Sequence, residues 1–181
     1  IGPGSLYTGI IPTLLIKEVS DAIRKSKACR IFVSNIMTEK NQTDNFSLSD
    51  YINVIHEHAG KGLFDYCIFS DSDVMPEYIR RANKDGCDLV ELDKNNVKDI
   101  KLVVDDLTIV DEKGNIRHNP IKLAQNIFKI VCDNMDLENS DKAIEYYTTR
   151  SKLKKITNKN KKKNILFRDV KIVSGTKRKY K

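Results

Sequence analysis

The sequence predicts an α/β fold, a Rossmann-like parallel sheet with helices on both faces. Short apolar runs alternate along the chain with stretches of helical periodicity, the order that joins parallel strands through crossover helices. Gly60, Pro76, Gly86 and Pro120 punctuate these segments at their ends, where turns belong. Apolar residues make up 40% and charged residues 31%, with 8 Gly and 4 Pro, which excludes wholesale disorder and collagen-like structure.

In chain order, a glycine-rich turn leads into a helical pattern beginning near Leu6, followed by a helix over residues 17–25. Residues 30–34 are short, apolar and bounded by polar residues, as a buried strand requires. A helix over residues 49–59 follows, with Ser47 or Ser49 as its cap and Gly60 at its end. Residues 66–70 form the second strand, and residues 77–84 a helix with Pro76 in its first turn and Gly86 beyond its end. Residues 88–92 and 101–104 read as two more strands. The last long helix, residues 121–134, starts at Pro120 and repeats apolar side chains at Ile121, Ala124, Ile127, Phe128 and Val131. These elements make one domain over residues 1–134, with a peripheral helix over 135–149 and a basic tail over 150–181.

The net charge of +7 conceals a division: residues 150–181 hold 14 of the 32 Lys and Arg and one acid, Asp169, which leaves the rest of the chain at −6. The tail's lysine run from Lys152 to Lys163 lacks the interleaved aromatics that stack bases, so it predicts a weak, nonspecific polyanion contact. A basic nucleic-acid-binding module would rest on the tail alone. The four cysteines, Cys29, Cys67, Cys87 and Cys132, form no C-x-x-C pair, and the three histidines do not pair with them at zinc-finger spacing. The longest apolar stretch, residues 9–16, has eight residues and contains Pro12, which predicts no membrane span. With no secretory pattern legible, the expected location is cytoplasmic.

Three segments carry candidate chemistry. In Gly2-Pro3-Gly4-Ser5-Leu6-Tyr7-Thr8 the glycines permit close backbone approach, and free N–H groups at a helix start receive phosphate; Ser5 and Thr8 add hydroxyls. The same residues also fit a plain strand-to-helix turn capped by Ser5. Beyond the first strand, Asn35, Thr38, Thr43, Asp44 and Asp50 form a loop and helix start suited to sugar hydroxyls or Mg²⁺, or an ordinary polar surface loop. Before the last helix, Arg117 offers a planar fork for phosphate and His118 a donor or proton shuttle; the alternative is a turn with an exposed Arg and a His capping the helix.

In this order the three segments resemble the gluconeogenesis factor family (YvcK-like), grouped with CofD-like 2-phospho-L-lactate transferases. The matching residues are Gly-Pro-Gly-Ser-Leu-Tyr-Thr at 2–8, the Asn-x-Met-Thr turn at 35–38 with Thr43-Asp44 after it, Ser49-Asp50, and Ile116-Arg117-His118. The chain departs from the family pattern where Ser-Asp-His becomes Ser49-Asp50-Tyr51 and Arg-His-Asp becomes Arg117-His118-Asn119. The resemblance covers about residues 1–134 and implies the C-terminal half of such a protein, truncated at its N-terminus. It implies a regulator of gluconeogenic carbon metabolism and cell shape that binds a nucleotide sugar resembling UDP-N-acetylglucosamine. The alternative it implies is a transferase of a phosphate-linked group from a nucleoside diphosphate, with Mg²⁺ as cofactor. Binding without turnover is the expectation, because no paired acid and base or activated nucleophile is legible. A homo-oligomer, and weak ligand binding by this chain alone, are also expected.

Overall fold

The structure, a computed structural model, describes residues 1–134 and Lys152. The expected peripheral helix over 135–149 and basic tail over 150–181 lie outside the described residues, Lys152 apart. Ile1–Val131 form one compact unit, and it contains every residue discussed below as a site.

Three parallel strands form the sheet: β1 (Ile31–Val33), β2 (Tyr66–Ser70) and β3 (Lys101–Asp105), in that order. Phe32 sits beside Cys67 and Cys67 beside Leu102, while Val33, Ile68 and Val103 align likewise. Since successive side chains on a strand point to opposite faces, these two rows face opposite sides of the sheet. Ile1 extends the pairing beyond β1: its amine donates to the Ile31 carbonyl at 2.8 Å and its carbonyl accepts from Val33 N at 2.9 Å.

Helices cover both faces. Against the Phe32 row pack the π-helical turn Leu6–Ile10, α1 (Ile11–Leu14) and α3 (Leu48–Ala59), through Leu6, Ile10, Leu14, Tyr51 and Ile55. Against the Val33 row packs α5 (Pro120–Asp133), through Leu123, Ile127 and Ile130. Of the apolar positions expected along α5, Ile127 packs on this row and Ile121, Phe128 and Val131 are half-buried, whereas Ala124 is exposed and Leu123 and Ile130 join the contact. α2 (Lys17–Lys25) and α4 (Pro76–Lys84) lie where their patterns place them. Ser47, not Ser49, opens α3: its N–H and its hydroxyl both donate to Asp50 Oδ2 at 2.8 Å. The Ser49 hydroxyl donates to Asp93 instead.

Two expectations are corrected. Residues 88–92 are not a strand of the sheet but make isolated bridges, Met37 to Leu89 and Ser47 to Glu91. Their backbone is taken up by the loop after β1 and by the start of α3: Thr38 N donates to Asp88 O, Val90 N to Ile36 O and Leu48 N to Glu91 O. The apolar character that suggested a strand serves packing, for Val90 is buried against α3 and the sheet. Second, β4 (Thr108–Val110) and β5 (Ile116–His118) form an antiparallel hairpin between β3 and α5, two strands that are not among those expected from the sequence. Asp111 organises its turn by accepting from Lys113 N, Asn115 N and the Asn115 side chain, and Gly114 takes φ +79°.

Candidate functional site

The site begins with the turn that carries the chain from Ile1 into the first helical turn. Gly2 adopts φ +68°, which favours a residue without Cβ. An added Cβ there would lie 2.6 Å from the Val33 carbonyl oxygen. Leu6, fully buried under α3, fixes the far end of the turn. Between these anchors Gly4 and Ser5 are held against the loop that follows β1: Gly4 N donates to Asn35 Oδ1 at 3.1 Å, and the Ser5 hydroxyl donates to Glu39 Oε2 at 2.7 Å.

The hairpin supplies the facing side. Its base is fastened to the carboxyl end of β2, where Leu107 N donates to the Ser70 hydroxyl and Thr108 N to the Ser72 hydroxyl, both at 3.1 Å. This carries Arg117 and His118 back over the loop after β1. Asn119 then closes the hairpin and caps α5, its Oδ1 accepting from Ile121 N and Lys122 N at 3.1 Å. The capping role read for His118 therefore belongs to Asn119.

The result is an open cleft of about 400 Å³ at the carboxyl end of the sheet, lined by Gly4, Ser5, Asn35, Thr38, Glu39, Arg117 and His118, with Pro3, Ile36, Met37 and Ile116 as apolar lining. Ligands of open α/β sheets sit at this end. The polar surface combines amide, hydroxyl and carboxylate acceptors on one side with a guanidinium and an imidazole on the other. It can receive an anion beside Arg117 and hydroxyl groups beside Asn35 and Glu39.

Six of the twelve residues singled out from sequence meet in this cleft: Gly4, Ser5, Asn35, Thr38, Arg117 and His118. Gly2 shapes the turn beside it. Thr43 is fully buried behind it, its hydroxyl oxygen accepting from Glu39 N at 2.8 Å and from the Tyr51 hydroxyl at 2.9 Å, so it holds Glu39 in place. Asp50 is engaged by Ser47 at the start of α3. Tyr7 lies edge-on to His58, and Thr8 and Asp44 are exposed; none of the three lines the cleft. Sequence reasoning missed Glu39, whose partner Ser5 is 34 positions away, a separation that local pattern does not bridge.

Among the described residues no group of three or more His, Cys, Asp and Glu is placed to hold a metal ion. Glu39 is the single carboxylate of the cleft lining. Magnesium is commonly held by one or two carboxylates together with substrate phosphates, and Glu39 fits that role when a phosphate is present.

Burial pushes the His118 imidazole below its ordinary pKa, opposed by a hydrogen bond with the Ser34 backbone. His56 is lowered too, by burial and then by Lys61. A histidine kept neutral in the fold contributes its full stability above about pH 6.5, the unfolded value, and that contribution is lost as the pH falls below it. The unfolding free energy should therefore decline as the pH falls below about 6.5. His118→Gln should flatten part of that decline in urea denaturation, and an unchanged slope would remove His118 from this account.

Compared with known proteins, residues 1–109 match the family model of 2-phospho-L-lactate transferase CofD. A Clostridium acetobutylicum protein provisionally named gluconeogenesis factor is 35% identical over 155 residues, covering 85% of this chain and 34% of that protein. The Listeria monocytogenes gluconeogenesis factor is 35% identical over 136 residues, covering 72% of this chain and 40% of that protein. The crystal structure of protein BH3568 from Bacillus halodurans superposes with a TM-score of 0.68 at 29% identity, covering 70% of this chain and 41% of that one. The chain spans about a third to two fifths of the length of these relatives. Among the described residues no helix is long and apolar enough to cross a membrane.

Proposed function

The chain belongs to the family of 2-phospho-L-lactate transferase CofD, and from that premise we propose that its cleft takes part in binding a nucleotide sugar resembling UDP-N-acetylglucosamine. The protein would act as a cytoplasmic regulator of gluconeogenic carbon metabolism and cell shape. The relatives named gluconeogenesis factor support the metabolic part of this reading.

One observation carries the ligand class: the Gly4–Ser5 turn, the Asn35 amide and the Arg117–His118 pair converge on one cleft although they come from three distant parts of the sequence. The Gly4 N–H is engaged by Asn35, but the amides that follow it at the start of the helical turn lack intrahelical acceptors, which suits phosphate oxygens approaching over Gly4. Arg117 adds a planar donor fork for the same anion. The carboxylate of Glu39 and the carbonyl of Asn35 suit the hydroxyls of ribose or of the sugar.

Gly4 permits a clean test, because no atom stands within 4 Å of where its Cβ would lie. Gly4→Val should fold as the native protein does while its side chain obstructs approach over the turn. In calorimetric titration of the intact protein with UDP-N-acetylglucosamine, affinity should fall by about tenfold or more. Equal affinities would overturn the reading.

A second reading is favoured by the carboxylate placed beside the Ser5 hydroxyl in the cleft. In it the protein is a transferase of a phosphate-linked group, with Glu39 and the phosphates of the donor holding Mg²⁺. When bound, that ion would neutralise phosphate charge; Ser5 keeps Glu39 oriented and Arg117 binds the anion. In both readings residues 150–181 add a weak, salt-sensitive polyanion contact separate from the cleft, and the protein self-associates.

A further inference from the structure

Beside the cleft, between α4 and the β4–β5 turn, lies a second cavity of about 200 Å³, and Met37, Ile116 and Arg117 line both spaces. The charged groups of the second cavity are Arg81, Arg117 and Asp85, two guanidiniums against one carboxylate. Arg81 is seated on the hairpin: its Nη1 lies 2.6 Å from the place a Cβ on Gly114 would occupy, and the Tyr78 ring is 3.8 Å from the same point. Gly114, at φ +79°, leaves the space that this guanidinium fills. Among the described residues neither Arg81 nor Arg117 is tightly paired; Arg117 has Asp111 at 3.8 Å, and that carboxylate already accepts three bonds within its own turn.

We propose that this second cavity is a subsite for a further anionic group, phosphoryl or carboxylate, of the ligand held in the main cleft, and that Arg81 recognises it. Arg117 stands between the two spaces, so a ligand with anionic groups at both positions would bridge them. Arginine suits this role because its planar fork binds either oxygen set through two hydrogen bonds. The identity of that ligand as a nucleotide sugar rests on the proposed function; the anion subsite itself does not.

The test compares UDP-glucuronate with UDP-glucose, which differ by one carboxylate on the sugar. In calorimetric titration the native protein should bind the acidic sugar nucleotide about tenfold more tightly. Arg81→Gln should bring the ratio to about one, and Arg81→Lys should recover part of the preference. A preference that survives in Arg81→Gln would overturn the assignment. A second arm is independent of the nucleotide: phenylglyoxal modification read by mass spectrometry, with inorganic pyrophosphate or citrate as the probe. Either anion should shield Arg81 but not its neighbour Arg80 on the same helix, pyrophosphate acting for the phosphoryl source and citrate for the carboxylate. Shielding without any nucleotide binding would sustain the subsite and reject the nucleotide reading, whereas absence of shielding by both anions would reject the subsite.

Discussion

Gly2→Val should lower the melting temperature by about 5 to 15 °C, the largest stability effect expected near the cleft. At φ +68° a residue with a side chain pays roughly 1 to 2 kcal/mol for the left-handed conformation alone. The new Cβ would also meet the Val33 carbonyl oxygen at 2.6 Å, with Phe32 and Ile10 atoms 3.5 and 3.6 Å away. A flexible side chain could swing aside, but Val33 belongs to β1 and is paired on both edges, with Ile68 across the sheet and with Ile1 through its N–H. The backbone must therefore move, and the total cost reaches about 2 to 4 kcal/mol. Gly4→Val, two positions away and facing open space, should melt like the native protein. Thermal denaturation of the two variants side by side checks the contrast, and equal melting temperatures would show that the turn is not held as described.

Arg117→Ala should weaken binding of UDP-N-acetylglucosamine by about ten- to a hundredfold, the range expected when a charge-assisted hydrogen-bonded contact to phosphate is removed. Its side chain is 67% exposed and its pairing with Asp111 is loose, so stability should change little. Arg117→Lys restores the charge without the planar fork and should recover part of the loss. Because one partner is exposed, the native affinity should fall as salt is raised, and the alanine variant should show a shallower dependence. A variant that binds as tightly as the native protein would separate Arg117 from the ligand.

Much of the architecture was legible because local rules and the tertiary fold agree. Strand β2 is a short apolar run with polar ends, and α3 carries a serine start and a glycine end, so propensity, capping and burial coincide. The failures arise where distant segments decide the outcome. Residues 88–92 have the composition of a strand, yet their hydrogen-bonding groups are claimed by the loop after β1 and by the start of α3. The hairpin was recoverable in part, since Thr-Ile-Val and Ile-Arg-His flank a five-residue turn containing Gly114. The apolar stripe of α5 is legible only in part: Ile127 meets the sheet as its spacing predicts, but Leu123 and Ile130 join it while Ala124 does not, because spacing alone does not fix the edge of the stripe. In the site, the glycine turn, Asn35 and the Arg117–His118 pair were visible as motifs. Their convergence, and the Glu39 carboxylate brought against Ser5, follow from the sheet and hairpin together.

The most direct measurement is a backbone-amide NMR titration of the intact protein with UDP-N-acetylglucosamine. The cleft account predicts that the largest shifts fall on Gly4, Ser5, Asn35, Thr38, Arg117 and His118 and saturate with a single dissociation constant, while amides of α2 stay in place. Shifts centred on α2, or a titration that leaves the cleft amides unmoved, would contradict it.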